Sequence, residues 1–117
     1  MEVEVAKRLL DALEAARRIR KFTATLDFVQ FSANEMVRSA VERQFEIIGE
    51  ALGKAGAADS SLAESIPELP KIVGLRNRLI HGYDSVDDEI IWDVVQNKAS
   101  PLAEQLEAEL RSAGYSV

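Results

Sequence analysis

Four residues within one stretch of eight have side chains suited to chemistry on a phosphate ester: Arg76, Asn77, His81 and Tyr83. Histidine moves protons near neutral pH. Arginine grips phosphate oxygens with a planar two-pronged fork. Together they suit cleavage of RNA without a metal. The ribose 2′-hydroxyl would attack the adjacent phosphorus, with His81 handling a proton. Arg76 would stabilise the charge developing on the phosphoryl oxygens. The expected ends are a 2′,3′-cyclic phosphate and a 5′-hydroxyl. The reaction wants both a base and an acid, yet His81 is the only histidine. Two copies of the chain, related by a two-fold axis, would supply both.

By residue type alone, each member also has an ordinary structural use. His81 beside Gly82 can cap a helix end, Arg76 can serve an ion pair, and Tyr83 can pack as an aromatic. The helical wheel sharpens the choice. With Ile72 at zero and 100° per residue, Leu75, Leu79, Ile72, Ile80 and Val73 span an apolar arc, and Arg76 falls inside it at about 40°. Asn77 and His81 fall together at about 140° and 180°, one turn apart, so that Asn77 would be placed to orient the imidazole. A guanidinium within an apolar stripe is costly unless it is paired or faces another surface. That face is therefore expected to meet a cleft or a second subunit. Gly82 would end the helix and let Tyr83 turn toward the others.

The elements that position these residues read as helices. Val5, Leu9, Leu10, Leu13, Ala16, Ile19 and Phe22 recur at three- and four-residue steps. A short connector follows, with a helical turn after Asp27. Ser32 with Glu35 fits a capping box for a second helix carrying Val37, Val41, Gln44, Phe45, Ile48 and Leu52, which Gly53 is expected to end. From Gly53 to Leu69 the chain reads as a loop with a turn near Leu62. A third helix is predicted from about Pro70 to His81. Ser85 with Asp88 marks a fourth helix, through Ile90, Ile91, Val94 and Val95. Ser100-Pro101 either kinks that helix or opens a last one through Leu102, Leu106 and Leu110. The pattern predicts one all-α domain over residues 1–117, an antiparallel bundle of four to five helices.

Composition narrows the function classes. With no cysteine and one histidine, no thiolate or convincing metal-ligand set exists, and neither metal nor cofactor is expected. No apolar run nears the ~20 residues of a membrane span, and no signal peptide is visible, so a cytoplasmic location is expected. The net charge of −6 counts mildly against a polyanion ligand. Its distribution softens that. From Pro70 to Tyr83 the charged residues are Lys71, Arg76 and Arg78, all basic, while Asp84 to Leu110 holds eight acids and one lysine. Glu46 and Glu50, one turn apart on the second helix, either pair with Arg76, line the cleft, or belong to a solvated face shared with Arg43.

The motif from Arg76 to Tyr83, an arginine, four residues, histidine, one residue, tyrosine, resembles the signature of the HepT branch of the HEPN superfamily. Phe45-Glu46-Ile47-Ile48-Gly49-Glu50-Ala51 is similar to that family's second-helix segment. Ile72-Val73-Gly74-Leu75 before the motif and Ile90-Ile91-Trp92-Asp93-Val94-Val95-Gln96-Asn97 after it are similar too. The likeness spans roughly Leu9 to Leu110. It implies a helical bundle that dimerises with its motifs facing across a cleft. It implies a toxin ribonuclease with Arg76, Asn77 and His81 catalytic. It also implies a partner, an MNT-type nucleotidyltransferase antitoxin that transfers AMP to Tyr83 and blocks the site. The alternative is a non-catalytic module whose cleft binds nucleotide or the nucleotidyltransferase itself.

Overall fold

The computed structural model describes residues 1–81 and 87–117. Seven helices run through them: α1 Val3–Thr23, α2 Phe28–Ala33, α3 Glu35–Ala58, α4 Leu62–Ser65, α5 Leu69–His81, α6 Asp88–Asn97 and α7 Ala99–Ser112. Five are long enough to build a bundle, and α2 and α4 are connectors. The central pair is α1 against α3. Helix α5 packs on α3, and α7 packs on α1, with α6 beside α7. The all-helical bundle read from the sequence is the fold observed.

The α1–α3 pairing follows from side-chain size. Along α1 the buried face is Leu9, Ala12, Leu13, Ala15, Ala16 and Ile19, and along α3 it is Val41, Phe45, Ile48, Leu52 and Ala55. Alanines let the backbones approach while the larger residues interdigitate, the usual solution for dense packing. Leu102, Ala103, Leu106 and Leu110 of α7 close the core from the α1 side.

Several boundaries differ from the sequence reading. Helix α2 starts at a capping box formed by Asp27 and Gln30: the Gln30 amide donates to Asp27 Oδ1 at 2.8 Å, and the Asp27 amide donates to Gln30 Oε1 at 2.9 Å. That helix absorbs Ser32, so Asn34 caps α3, accepting from the Val37 amide at 3.1 Å. Helix α3 does not stop at Gly53. It continues through Gly56 to Ala58, because Leu52 and Ala55 are buried and the two glycines face α5, with Leu69 and Val73 close by. Tertiary packing outweighs the low helix propensity of glycine here. Asp87, not Ser85, caps α6, accepting from the Ile90 amide at 3.0 Å. Gly82, Tyr83 and Ser85 lie outside the described residues. Lys98 separates α6 from α7, so Pro101 falls in the first turn of a new helix, where it is tolerated. Past α7, Gly114 takes a φ of +94° and the Tyr115 amide donates back to the Leu110 carbonyl at 3.0 Å. Among the described residues, no helix is long and apolar enough to cross a membrane.

Candidate active site

Helix α5 carries the candidate residues, and α3 fixes where it lies. Leu69, Ile72 and Leu75 are the buried residues of α5. Their stripe leaves Arg76 on the flank facing α3, and there α3 offers Gly49. A Cβ built on Gly49 would fall 2.1 Å from Arg76 Cβ, 2.6 Å from its Cγ and 3.3 Å from the Ile72 carbonyl oxygen. Only a residue without a side chain permits this approach. The stem of Arg76 rests on bare helix backbone.

The Arg76 side chain is half-buried. Nη1 donates to Asn77 Oδ1 at 3.1 Å. Its Nε is sealed from solvent and meets no hydrogen-bond partner among the described residues. The carbonyl oxygen of Asn77 is engaged by Arg76, so any orienting of His81 by Asn77 falls to its amide nitrogen. Leaving a buried donor of a charged group unmade is costly, and such an atom marks a place where a ligand has something to satisfy.

His81 is the last residue of α5 and is exposed. It lies five positions beyond Arg76, about 7.5 Å along the axis and about 140° around it. The two side chains therefore leave the helix in different directions. Tyr83 falls outside the described residues.

The two carboxylates of α3 have different surroundings. Glu46 accepts from Arg43 Nη1 at 3.3 Å, as the solvated-face reading has it. Glu50 accepts from Lys54 Nζ at 3.2 Å. It also lines a cavity of about 220 Å³ with Gly49, Gly53, Lys54, Val73 and Arg76. The Lys54 hydrogen bond and charge hold the Glu50 carboxyl below its ordinary value, with Arg76 contributing further. Thus Glu50 shares a cavity with Arg76. A second cavity of about 300 Å³, between α1 and α3, begins on the other side of Glu50 and includes Arg8, Asp11, Glu14 and Arg18. Arg8 pairs with Glu4 at 3.1 Å and Arg18 approaches Glu14 at 3.9 Å, so this groove carries both signs of charge.

Trp92 packs on Phe31, with ring centroids 5.0 Å apart, and on Phe28 at 6.4 Å. It anchors α6 to α2 and so fixes where the chain resumes after the motif. Sequence reasoning missed Gly49 and Lys54. The spacing Gly49, Gly53, Gly56 on one helical face was the available signal: it marks a close helix approach as well as it marks a helix end.

Comparison with known proteins identifies the family. The family model described as Ribonuclease HepT-like matches residues 12–109. A Methanocaldococcus jannaschii protein named a putative RNase is 36% identical over 106 residues, covering 89% of this chain and 94% of that protein. Another from the same organism, with the same description, is 35% identical over 97 residues, covering 81% and 78%. A Thermococcus cleftensis protein named probable ribonuclease HepT is 32% identical over 101 residues, covering 85% and 89%. No solved structure matches the chain. The chain belongs to the HepT-like ribonuclease family of the HEPN superfamily.

Proposed function

We propose that this protein is the toxin of a toxin–antitoxin pair, a metal-independent endoribonuclease that cleaves RNA at a cleft between two copies of the chain. The observation that carries the reading is the half-buried Arg76, held against Gly49 with a sealed Nε that has no partner among the described residues, on the same helix as an exposed His81. Arg76 binds the scissile phosphate and stabilises the oxyanions as the 2′-oxygen adds to phosphorus. One imidazole takes the 2′-hydroxyl proton as the O2′–P bond forms. A second gives a proton to the 5′-oxygen as the P–O5′ bond breaks. The divergence of Arg76 and His81 on one helix supports a composite site, in which each protomer's arginine serves the other protomer's histidine. Asn77 contributes by holding the guanidinium.

Regulation follows from the motif tyrosine. An MNT-type nucleotidyltransferase transfers AMP from ATP to the Tyr83 hydroxyl, releasing pyrophosphate. The added phosphate then competes for Arg76. The exposed position of His81, at the helix end nearest Tyr83 in sequence, supports this reading.

The test is cleavage of total RNA and tRNA in EDTA by wild type, His81→Ala and Arg76→Ala, with analysis of the product ends. Cleavage by wild type alone, leaving cyclic phosphates, is the expected result. Equal cleavage by His81→Ala would overturn the assignment. Binding of nucleotides by a wild type that cuts nothing would favour the binding-module alternative.

A further inference from the structure

The cavity beside Arg76 contains a second cation, Lys54, which the reaction above does not use. Its lining is Gly49, Glu50, Gly53, Lys54, Val73 and Arg76. At about 220 Å³ it is smaller than the cavities of roughly 300–1,000 Å³ that enclose drug-sized ligands. It suits a phosphodiester group better than a nucleoside.

Two details indicate that this space is kept for something. The first is Gly53. Gly49 is required by packing, because a Cβ there collides with Arg76. A Cβ on Gly53 would meet only Val73 Cγ2, at 3.9 Å, an ordinary contact. Packing does not demand glycine at this interior helical position, and glycine weakens a helix relative to alanine. Its absence of side chain leaves the trough open. The second is the Lys54–Glu50 pair, 3.2 Å long, with side chains 54% and 50% exposed. Exposed pairs of this kind are weakly held. Lys54 can therefore exchange Glu50 for another anion at little cost.

We propose that Lys54, beside the trough between Gly49 and Gly53, binds a second backbone phosphate of the RNA, adjoining the one engaged by Arg76, by exchanging Glu50 for it. This rests on the ribonuclease reading for the identity of the ligand. Glu50 is the resident competitor: it occupies the ammonium when RNA is absent and disfavours phosphate by like charge. Removing either partner of the pair then has opposite effects on RNA, which a merely structural ion pair does not predict.

The experiment measures the affinity of the full-length protein for a 2′-O-methyl oligoribonucleotide of about ten nucleotides, across a range of salt. This probe cannot be cut. Lys54→Gln is expected to weaken binding about five- to twentyfold at low salt and to reduce the slope of log affinity against log salt by about 0.7, the share of one phosphate on a single strand. Glu50→Gln is expected to tighten binding. Gly53→Ala is expected to raise Tm by about 3–5 °C while weakening RNA binding, a combination that misfolding cannot give. Lys7→Gln, on α1, is the control for net charge. The proposal is overturned if Lys54→Gln leaves affinity and slope unchanged, if Lys7→Gln moves them equally, or if wild type shows no affinity for the probe. Cleavage of unmodified RNA is followed in parallel. Wild type that binds but never cuts removes the ribonuclease reading and leaves the phosphate site to be judged on Lys54→Gln alone.

Discussion

Helix α3 has two neighbours and treats them differently. Toward α1 it presents Val41, Phe45, Ile48, Leu52 and Ala55, all fully or nearly fully buried, against a face of α1 equally apolar and sealed. Toward α5 it presents Gly49, Gly53 and Gly56, and what settles there is an arginine stem, a valine and a leucine. The first contact buries apolar area along its centre, and its charged groove, with Arg8, Asp11, Glu14 and Arg18, lies along one edge. The second seats an arginine stem on glycine backbone, with a guanidinium nitrogen that is sealed and has no partner among the described residues, beside a cavity with an exposed ion pair at its edge. One interface forms the centre of the core, and the other sets where α5, and with it Arg76, lies.

If that division is right, substitutions on the two faces should separate stability from activity. The largest effect on stability is expected from Phe45→Ala. Its ring is wholly buried, and truncating such a side chain costs about 3–5 kcal/mol. Urea unfolding would read this, while the folded fraction should cleave RNA at nearly the wild-type rate. A loss of specific activity in folded Phe45→Ala protein would mean that the two faces are coupled.

Gly49→Ala should do the reverse. The new methyl must displace the Arg76 Cβ, 2.1 Å away, and the Ile72 carbonyl restricts its escape. Overpacking costs about 1–3 kcal/mol, and alanine's better helix propensity offsets roughly 1 kcal/mol of it. Stability therefore falls by at most about 2 kcal/mol. Activity falls further, because a displacement of about 1 Å in a positioning element can cost about a hundredfold. Denaturation and cleavage rates on one preparation would show the split. A Gly49→Ala protein of wild-type activity would mean that the α3–α5 contact does not set the arginine.

The sealed face was legible in the sequence and the open face was not. Apolar residues at three- and four-residue steps in α1, α3 and α7 report burial directly, so helix type, order and core came through. The motif itself was legible as residue types in a short span. What failed was local. Ser32, Gly53 and Ser85 all look like helix punctuation, and in each case another determinant prevailed. Asp27 and Gln30 formed a better cap earlier and extended helix over Ser32. Packing against Leu69 and Val73 carried α3 through its glycines. Asp87, one residue before α6, supplied the cap expected from Ser85. The partner of Asn77 was missed for a related reason. A wheel places residues by angle alone, whereas Arg76 is long enough to reach its neighbour's carbonyl oxygen.

The smallest effect tests whether α3 carries a third, polar face that is independent of both. Glu42 lies near the start of α6, where Asp88 accepts from Ser32 Oγ at 2.8 Å and faces Arg38 at 3.7 Å. Burial first, then the Asp88 charge, raises the Glu42 carboxyl above its ordinary value of 4.5, with Glu46 adding to the shift and Arg38 opposing it. A raised carboxyl binds its proton more tightly in the native state than in the unfolded one. Stability from this group is therefore full below 4.5 and is lost as pH rises through the native value. Glu42→Gln, which cannot ionise, should raise Tm at pH 7 by no more than about 3 °C. The gain should vanish in melts run below pH 4.5, where wild type is itself protonated. RNA cleavage should be unaffected, since neither Arg76 nor the Lys54 cavity touches this cluster. A gain in Tm that persists in acid would show that the glutamine improves packing, and that the carboxylate at position 42 carries no electrostatic cost.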